Sequence, residues 1–271
     1  MSLVMVMVLG ILIGAIMGLT GAGGGILAVP VLVAGMHWSM QEAAPVALIA
    51  VASGAAVGAL DGFRHGLVRY KAAMLMALCG LPMAHVGQKW AQVLPQFVLM
   101  GVFSLIMIVV SWRFYKSSKQ TQVAFEEEAL RLAFIHSETG KFIWTPVAAC
   151  VLAAIGVLTG LMTGLLGVGG GFLIVPLMRR FTHLAIPGIV ATSLFVITLV
   201  GTGGVINALL LGAQLPVTET LGFVASMITG MLLGRQLSHR LEAWQVQLGF
   251  SALLLCVSVY MLVQASINYL S

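Results

Sequence analysis

Gly18-Leu19-Thr20-Gly21-Ala22-Gly23-Gly24-Gly25-Ile26-Leu27-Ala28-Val29-Pro30-Val31-Leu32 is a stretch that this chain carries twice. The second copy runs Gly164-Leu165-Leu166-Gly167-Val168-Gly169-Gly170-Gly171-Phe172-Leu173-Ile174-Val175-Pro176-Leu177-Met178 and matches the first at 9 of 15 positions. Each copy follows an apolar run and leads into another. Glycine clusters of this kind expose backbone amides where hydrocarbon would leave them unsatisfied. They are tolerated at membrane depth only where the backbone is buried in protein or lines a polar cavity. A matched pair of Gly/Pro-interrupted apolar segments is the sequence pointer to the binding site of a secondary transporter.

The composition around this pair sets the class. The chain has 271 residues, 60% hydrophobic and 8% charged, with a mean hydropathy of +1.09. Soluble domains carry about 25% charged residues, so this is an all-α polytopic membrane protein. No basic run with interleaved aromatics points to nucleic acid, and the net charge of +5 reads as topology. Cys79, Cys150 and Cys256 lie in apolar runs without ligand-like spacing and read as small buried residues. Neither a metal nor a cofactor is expected. The first apolar segment, Met1 to Met17, has no Lys or Arg before it and is kept as part of the mature fold rather than a signal peptide.

Apolar runs fall at 3–17, 26–36, 43–60, 72–88, 97–112, 143–163, 172–178, 187–211, 216–234 and 246–267. A full span needs about 20 residues, so the segments after each glycine cluster are too short to cross alone. Residues 3–36 and 143–178 are therefore interrupted units, either broken spans or re-entrant hairpins. Charge favours units that return to their own side, each followed by three transmembrane helices. The loops then place every one of the 13 Lys and Arg on one face except Lys89. A single crossing per unit would abolish that bias. By the positive-inside rule the basic face is cytoplasmic and both termini lie outside the cytoplasm.

An odd number of crossings per half makes the two copies inverted-topology repeats. The chain divides into a first repeat (1–115), a cytoplasmic linker (116–141) and a second repeat (142–271). At an offset of 146 residues Asp61 aligns with Asn207 and Gly66 with Gly212. One residue of slippage aligns Gly87 with Gly234. Val123, Glu127, Leu130 and Phe134 give the linker the spacing of a short amphipathic surface helix. Gly54, Gly58 and Gly62 form a small-xxx-small stripe, for packing within the monomer or in a homodimer.

Two glycine-rich breaks that precede short helices would present unpaired N–H groups and positive helix ends, a ready anion site without a buried cation. The candidates are Gly21, Gly23, Gly24 and Gly25 with Gly167, Gly169, Gly170 and Gly171. Against this stands a packing role, in which the glycines only let helices touch. Thr192 and Ser193, and Thr20 in the first motif, are candidate hydroxyl donors, or else bond back to their own helices. Thr20 has Leu166 as its counterpart, so the site is asymmetric. Asp61 and His85 are the candidate proton carriers, because few titratable groups lie near the spans.

The paired G-x-x-G-x-G-G-G-x-x-x-V-P resembles the signature of the TauE/SafE sulfite exporter family of membrane transporters. The resemblance covers the whole chain. Ala191-Thr192-Ser193-Leu194 is similar to the T-S-L stretch that family members carry in the span after the motif. The first half departs from it, with Ala47-Leu48-Ile49-Ala50 where a second such stretch would stand. The resemblance implies export of sulfite or small organosulfonates such as sulfoacetate from a bacterial cytoplasmic (inner) membrane.

The leading expectation is a secondary transporter for a small anion, working by alternating access in the lipid bilayer. The nearest rival is an anion channel of the same architecture. A membrane enzyme would need a nucleophile–base pair or metal ligands converging at helical spacing, and none does, so no enzyme is expected. A scaffold or assembly factor would not need duplicated glycine breaks.

Overall fold

The computed structural model describes residues 3–119, 145–182, 184–213, 215–238 and 243–270. The amphipathic helix expected in the linker lies outside the described residues. The elements run in one order twice. The first half holds α1 (Leu3–Thr20), a 3₁₀ segment (Gly21–Leu27), α2 (Ala28–Met36), α3 (Met40–Arg64), α4 (Tyr70–Val93) and α5 (Gln96–Lys119). The second holds α6 (Pro146–Leu166), a glycine loop, α7 (Gly171–Phe181), α8 (Ile186–Leu210), α9 (Val217–Ser238) and α10 (Ala243–Leu270). Seven of these helices are long and apolar enough to cross a bilayer. The chain is an integral, all-α membrane protein.

Local chemistry explains where the helices start and stop. Ser39 and Glu42 form a reciprocal capping box on α3, with Ser39 N–H donating to Glu42 Oε2 at 2.9 Å and Glu42 N–H to Ser39 Oγ at 3.2 Å. Thr145 caps α6 ahead of Pro146, where a missing N–H costs nothing. Helices α3 and α8 end identically. Leu67 N–H donates to Gly62 O at 2.9 Å, and Ala213 N–H donates to Ala208 O at 3.0 Å. Gly66 and Gly212 take the left-handed turn at φ +65° and +84°. The 146-residue offset is thus a structural register as well as a sequence match.

Helix α1 is long enough to span by itself, and α2 then folds back along it. A β-carbon on Gly35 would meet Leu9 Cδ1 at 2.6 Å and Met5 Cε at 3.4 Å. The first interrupted unit is therefore a hairpin. The halves then exchange partners. α1 packs along α9, α6 along α4, α3 against α8 and α5 against α10. In the first two pairs the backbones touch through repeat-related glycine stripes, Gly10-Gly14-Gly18 and Gly156-Gly160-Gly164. β-Carbons on Gly14 and Gly18 would run into the backbone of Met227 and Met231, and those on Gly156 and Gly160 into that of Met76 and Gly80. The order of these contacts makes both pairs parallel. Helices α3 and α8 cross antiparallel, with Gly62 against Ala191 at one end and Gly204 against Leu48 at the other. The Gly54-Gly58-Gly62 stripe is spent inside the monomer, against Met17, Met231, Leu194 and Ala191.

Among the described residues every Lys and Arg except Lys89 sits at the end of the bundle that holds the α3–α4 turn and the C-terminus of α9, the basic end. The outer surface is apolar, with Leu105, Val109, Leu253, Val259 and Val263 exposed on α5 and α10. Lipid as solvent also explains Cys150 and Cys256, which are exposed rather than buried; Cys79 is half-buried. An apolar run in a membrane helix fixes depth without fixing which face turns inward. Helix α4 is the least apolar of the long helices, because its second half carries His85, Gln88, Lys89 and Gln92.

Candidate functional site

The two glycine motifs meet in the middle of the bundle, and they are built differently. In the second copy α6 ends at Gly167 (φ +70°), whose N–H donates to Thr163 O at 2.9 Å. Gly169 and Gly170 follow at φ +73° and +64°, and Gly170 starts α7 without a side-chain cap. A side chain is strained at these angles, which accounts for the glycines. Val168, Gly169 and Gly170 are buried. Among the described residues no backbone carbonyl accepts from their amides. A buried N–H left without a partner costs about 1–3 kcal/mol, so amides in such a loop favour an acceptor.

The first copy departs from the expected pair of equivalent donors. Gly21–Leu27 is a continuous 3₁₀ helix running straight into α2, and only Gly21 has a positive φ, +75°. Its i→i+3 bonds occupy amides that a break would free. Its glycines serve close approach instead. A β-carbon on Gly24 would lie 2.5 Å from Met17 N and 2.9 Å from Ile16 C, both backbone atoms. One on Gly25 would lie 2.9 Å from Val51 Cγ1 and 3.5 Å from Val168 O. Gly23 is the roomy position, with Phe114 and Phe250 at ordinary contact distance.

Val51 stands where the two motifs converge, and its repeat counterpart Ile197 flanks Gly169 at 2.9 Å from the position of a β-carbon. Beneath Gly170 lie the buried hydroxyls of Thr159 and Thr163 on α6, each donating to its own helix at 2.7 Å. A cleft of about 220 Å³ opens toward the end opposite the basic one and reaches Gly164 and Gly167. Gln41, Gln88 and Gln92 supply its polar lining, and Pro45, Leu48 and Ala208 part of its apolar wall.

The other candidates sit around this core. Thr20 Oγ1 donates to Ile16 O at 2.8 Å and Ser193 Oγ to Val190 O at 2.8 Å, so both bond back to their own helices. Thr192 is fully buried, and its Oγ1 accepts from the Arg69 amide at 3.0 Å, tying α8 to the start of α4. Asp61 is ion-paired with Arg235 at the basic end, and His65 Nδ1 lies 3.3 Å from its Oδ2. His85 Nδ1 contacts Asn207 Oδ1, Asn207 Nδ2 donates to Gln88 Oε1, and Gln88 Nε2 donates to Gly204 O at 2.7 Å. Sequence reasoning singled out Asp61 and His85 but missed Arg235, Gln88, Thr159 and Thr163. The slipped alignment of Gly87 with Gly234 already set Gln88 opposite Arg235.

A bundle of membrane-crossing helices in which two glycine-interrupted units converge is the architecture of a membrane transporter. The chain belongs to the Sulfite exporter TauE/SafE family, matched over residues 6–261. It is 29% identical to a probable membrane transporter protein of Xylella fastidiosa strain 9a5c, over 96% of this chain and 95% of that protein. It is 26% identical to the probable membrane transporter protein YunE of Bacillus subtilis, over 78% of this chain and 80% of that one. A third relative, a probable membrane transporter protein of Methanocaldococcus jannaschii, is 24% identical over 76% and 72%. No solved structure matches.

Proposed function

We propose that this transporter exports a small oxyanion, sulfite or an organosulfonate such as sulfoacetate, across a bacterial cytoplasmic membrane by alternating access. The observation that carries the reading is the Val168-Gly169-Gly170 loop. Among the described residues no backbone carbonyl accepts from its amides, and it leads into the N-terminus of α7, where the helix dipole favours negative charge. A sulfonate or sulfite has three oxygens to accept from such donors and needs no buried cation. Gly171 belongs to the same donor set. Gly21, Gly23, Gly24 and Gly25 form the opposing wall, with Gly25 approaching the Val168 carbonyl. Thr192 and Ser193 are supporting hydroxyls, which reach the anion only by exchanging their present partners.

The two halves are inverted-topology repeats in this reading. Its support is the antiparallel crossing of α3 with α8, two helices in equivalent positions of the two halves. The basic end is cytoplasmic and both termini lie on the other side. Val51 closes the centre in the conformation described, so a rearrangement must accompany binding. Of the two candidate carriers His85 is the group through which proton exchange would drive export, because Asp61 is held in an ion pair with Arg235.

A thermal-stability screen of the purified protein tests the substrate class. Sulfite and sulfoacetate should raise the melting temperature at concentrations where acetate and chloride do not, since a ligand that binds only the folded state stabilises it by mass action. Stabilisation by carboxylates alone would move the substrate out of this class.

A further inference from the structure

The 146-residue register pairs Asp61 with Asn207, and its one-residue slip across α4 and α9 pairs Arg235 with Gln88. These four residues make two contacts at opposite ends of the bundle. At the basic end Arg235 of α9 donates to Asp61 of α3. At the other end Asn207 of α8 donates to Gln88 of α4. One bridge is therefore the repeat image of the other, drawn in different chemistry: an ion pair in one copy, an amide–amide hydrogen bond in the second.

The surroundings differ in the same sense. Beside the ion pair, whose Arg235 and Asp61 side chains are 40% and 34% exposed, the helices pack closely. Phe63 and Phe195 pack edge-to-face at 4.8 Å, Gly62 fits against Ala191, and Gly21 against Val190. Around the amide bridge lies the cleft, lined by Gln88, Ala208 and Ala213. Charge-assisted hydrogen bonds are about twice as strong as neutral ones, so equal folds with unequal bridges are not equally easy to part.

We infer that Asp61–Arg235 and Gln88–Asn207 are the two end latches of the translocation path, and that the ionic latch biases the resting protein toward closure at the basic end. This rests on the alternating-access reading above. All four are positioning residues: they set which end opens and do not bind the anion. Carrying different bridges on one register gives a repeat protein a preferred resting side, which two identical latches would not.

The test uses cysteine accessibility in the full chain, with Cys79, Cys150 and Cys256 replaced by serine. Reporter cysteines go at Leu67 and Ala213, which are equivalent in the register and lie just beyond the two latches. Each is labelled from its own side of sealed vesicles with a membrane-impermeant maleimide. Asp61→Asn and Arg235→Gln should raise labelling at 67 about tenfold and lower it at 213, a shift matching the loss of one modest interaction. The paired change Asn207→Asp with Gln88→Arg should do the reverse. The exchange Asp61→Arg with Arg235→Asp should restore the wild-type ratio.

Unchanged labelling in the single variants and in the Gln88/Asn207 pair, on monodisperse protein, would overturn the latches. So would a charge exchange that behaves like either single variant. Failure of the underlying reading looks different. In wild-type protein sulfoacetate should then leave both rates unaltered, whereas an alternating transporter trades accessibility between 67 and 213 when it binds.

Discussion

Gly25 and Gly169, one from each glycine motif, pack against the same methyl group: a β-carbon on either would lie 2.9 Å from Val51 Cγ1. Two segments far apart in sequence thus converge on one aliphatic side chain of α3. The convergence puts the backbone of the second motif against the first motif's wall. It also means that Val51 occupies the space between them until the helices move.

The unequal build of the two motifs gives the first expectation. Gly23→Ala adds a methyl at ordinary contact distance from Phe114 and Phe250, at a position without positive φ. It should fold normally and bind sulfoacetate within about twofold of wild type, a change worth under ~0.5 kcal/mol. Gly170→Ala must hold φ near +64° and approach Thr163 Oγ1 to 2.7 Å. Strain of this kind costs about 1–3 kcal/mol, so its melting temperature should fall and its anion affinity with it. Thermal denaturation and titration calorimetry on the same preparations report both.

The glycine stripes make a second, purely structural contrast. Gly160→Ala presses a methyl onto the backbone of Gly80 and should destabilise the protein by about 1–3 kcal/mol. Gly101→Ala, in α5 with nothing within 4 Å, should be neutral or stabilise by about 0.5–1 kcal/mol. Melting temperatures in one detergent compare the two directly.

These contrasts mark how far the amino-acid sequence could be read. The doubled motif and the short segments behind it point to two interrupted units each followed by three helices, and three helices do follow each unit, although α4 alone among those six falls short of the apolarity of a membrane span. The stripes at Gly10-Gly14-Gly18 and Gly156-Gly160-Gly164 are equally legible at their four-residue spacing. That the first motif winds as a 3₁₀ helix while the second opens was not legible. Both carry the same G-x-G-G-G, and φ at each glycine is decided by what packs around it, Met17 in one copy and Thr163 in the other. Thr192 reads from sequence as a donor to substrate, yet its partner is the Arg69 amide 123 residues away. Only the folded chain brings those two together.

His85 carries the third expectation. Asp61 is held by Arg235, whereas His85 is hydrogen-bonded to Asn207, itself bonded to Gln88, beside the cleft. His85→Ala should abolish the response of sulfoacetate flux to an imposed pH gradient and leave binding intact. Asp61→Asn should keep that response. Flux measured in vesicles with and without the gradient decides it, and an unchanged response in His85→Ala would remove this residue from coupling.

Orientation gives the fourth. Reporter tags fused at Ser2 and Ser271 should both lie outside the cytoplasm, and a tag at Ser118 inside it. Protease protection in spheroplasts reads each. Termini on opposite sides would contradict the inverted repeat.

The central claim is that the anion is held by backbone amides where the two motifs converge, and sulfoacetate affinity in a four-member cycle tests it most directly: wild type, Gly25→Ala, Val51→Ala and the double variant. Gly25→Ala alone crowds Val51 and also sets a methyl against the Val168 carbonyl, at the second motif's amides, and Val51→Ala removes the crowding. If amides bind the anion, the double variant should stay about tenfold weaker than Val51→Ala, the worth of one charge-assisted bond of roughly 1.5 kcal/mol. If the glycine only makes room for a neighbour, the double variant will bind as tightly as Val51→Ala. That result would contradict the account.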